Sequence, residues 1–138
     1  MFEKEYIDLS KYRFEKAENC LKSAENDILT NDYDSACNRS YYAILHAMRA
    51  VIALEGKDYK KHSAVMSCFR ANYIKTGILD TGLSDTITSL FNLRNSSDYD
   101  DFYVISKDDV IKQFENAKCF IKEVQKYLSS KYKVLLKE

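Results

Sequence analysis

Proline and tryptophan are absent from the chain, and only three of its 138 residues are glycine. Almost nothing can therefore interrupt a helix, and an all-α fold is expected. Net charge is also missing: 21 Lys and Arg face 21 Asp and Glu. That argues against nucleic-acid binding through bulk positive charge and leaves room for a local basic patch. Only two histidines are present, with no E-x-x-H spacing, which argues against a di-iron bundle. The four cysteines, Cys20, Cys37, Cys68 and Cys119, form no C-x-x-C pair. They read as buried free thiols on separate helices in a reducing compartment. No glycine-rich phosphate loop or nucleophile elbow occurs. His46 and Arg49 break the longest apolar run, and the N-terminus does not read as a secretory signal. The expectation is one cytoplasmic domain over 1–138, with no membrane span, metal or cofactor.

What the chain does have is a long apolar stretch, Asn38 to Leu54. Ala36, Ser40, Ala43, Ala47, Ala50, Val51 and Leu54 fall on one side at helical spacing. They are mostly small, so a neighbouring helix can come close. Tyr41, Ile44, Leu45, Met48 and Ile52 make a second apolar surface. A helix with two apolar faces needs partners on both, which puts it at the centre of a bundle. Arg39, Tyr42 and His46, spaced i, i+3, i+7, form a polar strip along one edge of it. The strip is either a binding edge or a structural set satisfying buried partners.

Before this stretch, Leu9, Tyr12, Ala17, Leu21, Ala24 and Ile28 predict an amphipathic helix over about 9–29. Asn31, Asp32 and Asp34 supply turn and N-cap chemistry for the central helix, and Gly56 is its natural stop. After the polar link 57–61, a third helix carries His62, Val65, Met66, Phe69 and Tyr73 on one face and ends at Gly77. His62 reads as a partly exposed residue at its start. The loop 78–82 leads to a fourth helix from Leu83 or Ser84 that frays at Asp100 and Asp101. Ser106-Lys107-Asp108-Asp109 is a capping-box variant. It opens a last helix with the stripe Val110, Phe114, Ala117, Ile121, Val124 and Leu128. Lys131, Lys133 and Lys137 suit its C-terminal end. The result is an up-and-down bundle of about five helices.

The inward stripe of helix four runs Leu83, Ile87, Leu90 and Phe91, and its next steps are Arg94 and Asp98. A guanidinium and a carboxylate occupy positions where the period predicts core. Charges placed there must pair. They can pair with each other at i, i+4, or with the Arg39–Tyr42–His46 edge. A pocket shared by His46 and Arg94 is therefore expected, with both able to contact one phosphate.

The ordered set Asn38-Arg39-Ser40-Tyr41-Tyr42-Ala43 with His46-Ala47, Lys61-His62-Ser63-Ala64-Val65, Lys75-Thr76-Gly77, and Arg94 to Asp98-Tyr99 resembles the HEPN domain family. The resemblance runs from the first helix to about Leu128 and is closest to small stand-alone prokaryotic members. It implies a helical bundle that commonly dimerises. It also implies a toxin–antitoxin pairing with a minimal nucleotidyltransferase. Many members are metal-independent ribonucleases with an arginine, then four to six intervening residues, then a histidine. In that chemistry histidine takes the 2′-hydroxyl proton and arginine holds the scissile phosphate, leaving a 2′,3′-cyclic phosphate.

This chain departs from the motif. Arg94 matches the arginine, but the three histidine positions hold Tyr99, Asp100 and Asp101. A tyrosine hydroxyl, with a pKa of about 10, is a poor base at neutral pH. Two readings of the site follow. In one, His46 and Arg94 are catalytic. In the other, the site binds RNA or a nucleotide uncut, with Arg39 and Arg94 on phosphate, Tyr42 or Tyr99 stacked on a base, and Asp98 completing the charge balance. A third reading, of a different class, is a non-catalytic helical protein that dimerises and binds the nucleotidyltransferase.

Overall fold

The computed structural model describes residues 3–136, with side chains to 134. Five α-helices follow one another: α1 Lys4–Leu29, α2 Tyr33–Ala53, α3 His62–Phe69, α4 Gly82–Tyr99 and α5 Lys107–Leu136. A π-helical turn, Arg70–Ile74, extends α3. The described residues contain no strand. Lys137, expected at the C-terminal end of the last helix, lies outside the described residues.

The two apolar faces of α2 explain its place. All four other helices pack on it. Its small-residue side, with Ala36, Ser40, Ala43, Ala47 and Ala50 fully buried, receives α1 through Ala17 and Ala24. Small side chains on both helices allow close approach. Ser10 uses that proximity to donate its hydroxyl to the Ala50 carbonyl at 2.6 Å, and the Tyr132 hydroxyl of α5 lies 2.5 Å from Ser10 Oγ. The larger side, including Ile44, Leu45, Met48 and Ile52, meets the remaining core with Phe69, Ile87, Leu90, Phe120 and Val124.

Local chemistry sets the ends. Asp32 caps α2 through the Ser35 amide, and Ser106 caps α5 through the Asp109 amide, both at 3.4 Å. Gly56 follows α2 with φ +71° beneath the Tyr6 ring, where a Cβ would come within 2.7 Å of the ring.

Three sequence expectations need correction. α1 begins at Lys4 instead of Leu9, and Leu9 and Tyr12 are exposed. Ala17 and Ala24 fix the rotation of α1 against α2, and stepping back from Ala17 lands on Phe14, Ser10 and Ile7. The third helix does not continue as α-helix to Gly77: at Arg70 it changes to π geometry, with the Lys75 amide bonded to the Arg70 carbonyl at 2.9 Å. Cys119 is exposed, because it lies on the outer face of α5, while the free Cys37 is buried.

Candidate functional site

Arg94 sits near the end of α4, one step past the buried stripe of Leu83, Ile87 and Leu90. Its side chain is 16% exposed. The Nε group makes an ion pair with Asp98 Oδ2 at 2.9 Å and a long hydrogen bond to Asn38 Oδ1 at 3.4 Å. Three tyrosine rings surround the guanidinium, with centroids 5.0 Å (Tyr41), 5.7 Å (Tyr42) and 5.9 Å (Tyr99) from Cζ. Such contacts hold a guanidinium by its faces. The described residues offer no hydrogen-bond partner to either terminal Nη group. That end of the fork is free for a bidentate anion.

The histidine beside this group is His62, at the first position of α3. Its Nδ1 lies 2.9 Å from the hydroxyl of Tyr41. Its ring meets Tyr42 edge-on at 5.7 Å. Burial lowers the His62 pKa, and the charges of Arg49 and Arg94 lower it further. The imidazole is therefore neutral at neutral pH. In the tautomer whose Nδ1–H donates to Tyr41, Nε2 carries a free lone pair. Burial pushes the Tyr41 hydroxyl up to about 12, against the opposing charge of Arg94. Tyr41 thus stays protonated and acts as a rigid bridge between His62 and the arginine.

His46 lies further along α2. Its ring is 6.1 Å from that of Tyr42, the residue through which it adjoins the Arg94 group. Burial pushes its pKa down to about 4, followed by the charges of Lys16, Arg49, Arg13 and His62. Arg39 is exposed on the same edge, facing α1, where its charge acts on the half-buried Cys20 thiol. The structure thus brings Arg94, Asp98, Tyr42 and Tyr99 together. It sets Arg39 and His46 along the α1 side.

That edge is locally cationic although the chain is neutral. Arg13 pairs with Asp58 at 3.2 Å, and Arg94 with Asp98. Among the described residues Lys16, Arg39 and Arg49 have no carboxylate within 4.0 Å. Arg49 spends one donor on the Tyr59 carbonyl at 3.3 Å. Among the described residues no group of three or more His, Cys, Asp or Glu could hold a metal ion. No helix there is long and apolar enough to cross a membrane.

Sequence reasoning passed over His62. Its signal was its place in Lys61-His62-Ser63, but nothing local shows that α3 would bring it onto Tyr41, 21 residues earlier.

Comparison with known proteins gives a consistent set. The HEPN domain family matches residues 10–127. A Methanocaldococcus jannaschii protein named "Putative toxin MJ0142" is 34% identical over 117 residues, covering 85% of this chain and 80% of its own. A "UPF0332 protein" of Thermotoga maritima is 28% identical over 128 residues, 93% of this chain and 96% of its own. Another of Archaeoglobus fulgidus is 29% identical over 119 residues, 86% and 94% respectively.

Proposed function

The chain belongs to the HEPN domain family, and on that footing we propose that it is a toxin-type RNA-binding protein that cleaves RNA without a metal. One observation carries the proposal: the caged Arg94 guanidinium, free at its Nη end, stands beside a neutral His62. Two relatives bear toxin names, which agrees with this class.

In this reading Arg94 holds the scissile phosphate, while Arg39 and the other cations of the edge hold flanking phosphates. Tyr42 and Tyr99 offer ring faces to unstacked bases. Asp98 fixes the Arg94 fork and balances part of its charge. His62 Nε2 takes the proton of the 2′-hydroxyl. The 2′-oxygen then bonds to phosphorus as the bond to the 5′-oxygen breaks, and that oxygen takes a proton from water. The products are a 2′,3′-cyclic phosphate and a 5′-hydroxyl. His46, neutral and one ring away, is the second candidate for the proton-transfer role, so both histidines must be tested.

The experiment is incubation with bulk RNA in the presence of a chelator. Wild type should leave fragments ending in cyclic phosphate. Arg94→Gln should lose cleavage, and comparing His62→Gln with His46→Gln identifies the base.

A second reading has its own support. Tyr99, Asp100 and Asp101 stand where the ribonuclease motif has histidine, and the loop after them exposes Phe102 (101%) and Val104 (88%). Here the protein is a non-catalytic cytoplasmic partner that forms homodimers and binds a minimal nucleotidyltransferase antitoxin. Intact RNA after incubation with a folded, dimeric preparation would favour it.

A further inference from the structure

A groove of about 260 Å³ runs between α3 and α4, apart from the Arg94 fork. Its floor is apolar: Met66, Ile87 and Phe91. Its rim carries the hydroxyls of Ser63, Ser67 and Thr88. Arg70 closes one end. At the other end, Phe91 packs its ring 6.3 Å from Tyr41, whose other contacts are Arg94 and His62.

Arg70 is unusual among the arginines. Its Nε donates to Ser84 Oγ at 2.9 Å, and its Nη2 donates to the Ser84 carbonyl at 3.0 Å and to Thr88 Oγ1 at 2.5 Å. All three acceptors are neutral. Among the described residues no carboxylate lies within 4.0 Å of it. The guanidinium is therefore immobilised with its charge uncompensated and Nη1 without a protein partner. Three hydrogen bonds that order a cation without neutralising it prepare it for an external anion. The π turn begins at this residue, a backbone feature often found at functional sites.

We propose that this groove is a nucleotide subsite, in which the apolar floor takes a base and Arg70 takes the phosphate attached to it. A flat ring fits between Met66, Ile87 and Phe91, and the rim hydroxyls can meet its polar edge or the ribose. Arg70 follows His62 by eight residues, an axial rise of about 12 Å at 1.5 Å per residue. That spacing leaves room for a base between two phosphates. The same base-plus-phosphate chemistry comes either from a free mononucleotide or from the next unit of an RNA strand anchored at Arg94. Only the strand form rests on the function proposed above.

The test uses two probes, adenosine monophosphate and a short 2′-O-methylated RNA oligonucleotide that cannot be cut. Both are titrated into the full chain by calorimetry. The variants are Arg70→Gln, which removes the charge, and Ser67→Trp, which fills the groove from an exposed position. Arg94→Gln is the control, and circular dichroism checks that each variant folds. The expected result is a loss of about tenfold in affinity on Arg70→Gln and a comparable loss on Ser67→Trp. If the mononucleotide binds, is weakened by Arg70→Gln and is unchanged by Arg94→Gln, the groove is a free-nucleotide site; mononucleotide binding that Arg70→Gln leaves unchanged overturns it. If only the oligonucleotide binds, and both arginine variants weaken it, the groove is the flanking subsite of a strand. Oligonucleotide binding that falls with Arg70→Gln but not with Arg94→Gln upholds the groove and sinks the phosphate role of Arg94. Binding that depends on Arg94 alone overturns the groove and leaves the other reading standing. Failure of wild type to bind either probe also overturns it.

Discussion

The hydroxyl of Tyr41 and Nδ1 of His62 lie 2.9 Å apart. This bond joins the fully buried core of α2 to the first residue of α3 and sets the histidine beside Arg94. Tyr41→Phe should break that link while keeping the ring face that Arg94 rests on. Stability should fall by about 1 kcal/mol in urea unfolding. RNA affinity should change little, while any cleavage rate should drop. Equal loss of binding and cleavage would show that Tyr41 acts on the ligand and not on the histidine.

Arg94→Ala should weaken RNA binding by about tenfold or more, since a charged bidentate contact is lost. The fold should survive. Its partner Asp98 is 34% exposed on its side chain, so water can solvate the carboxylate left behind. The expected stability cost is about 1 kcal/mol or less. Arg94→Lys should not restore affinity, because an ammonium cannot present a planar fork to phosphate and three rings at once. A thermal melt and a binding isotherm on each variant separate the two effects. Collapse of the melt with unchanged binding would mean the residue is structural.

Both histidines are held neutral by the fold, which dictates a pH dependence. Burial brings His46 down to about 4 and lowers His62 as well. Below about pH 6.5, the ordinary value, the unfolded chain takes up protons that the folded chain refuses. Stability should therefore be at its full level above that pH and be lost progressively as pH falls toward 4. Water still reaches the half-buried His46 ring, so its share should be about 1 to 2 kcal/mol. Urea titrations at pH 7.5, 5.5 and 4.5 on wild type and His46→Gln isolate that share from the carboxylates. Parallel curves for the two proteins would exclude it.

Two glycines with similar backbones should respond differently to alanine. Gly56 and Gly77 both have positive φ, at +71° and +81°. A Cβ at Gly56 would come within 2.7 Å of the Tyr6 ring, whereas Gly77 faces open space. Gly77→Ala should cost about 1 to 2 kcal/mol, the left-handed penalty alone. Gly56→Ala should cost more, and Tyr6→Ala in the same chain should relieve the excess. Equal costs at the two sites would mean that the Tyr6 ring moves aside freely.

Much of the bundle was already present in local sequence. Lack of proline, small and large faces on 38–54, and the Asp32 and Ser106 caps account for the helices and for the central place of α2. Arg94 and Asp98 announced themselves by interrupting an apolar period, because burying a charge is costly wherever the helix goes. The rotation of α1 was not legible. Leu9 and Tyr12 are apolar at plausible spacing, and only the fit of Ala17 and Ala24 against α2 turns them outward. Nor was the partnership of His62 with Tyr41, or the immobilisation of Arg70 by Ser84 and Thr88. A helical period reports which residues share a face. Which face meets which neighbour depends on side-chain volumes across the contact, so the residues of the site were assembled only by tertiary packing.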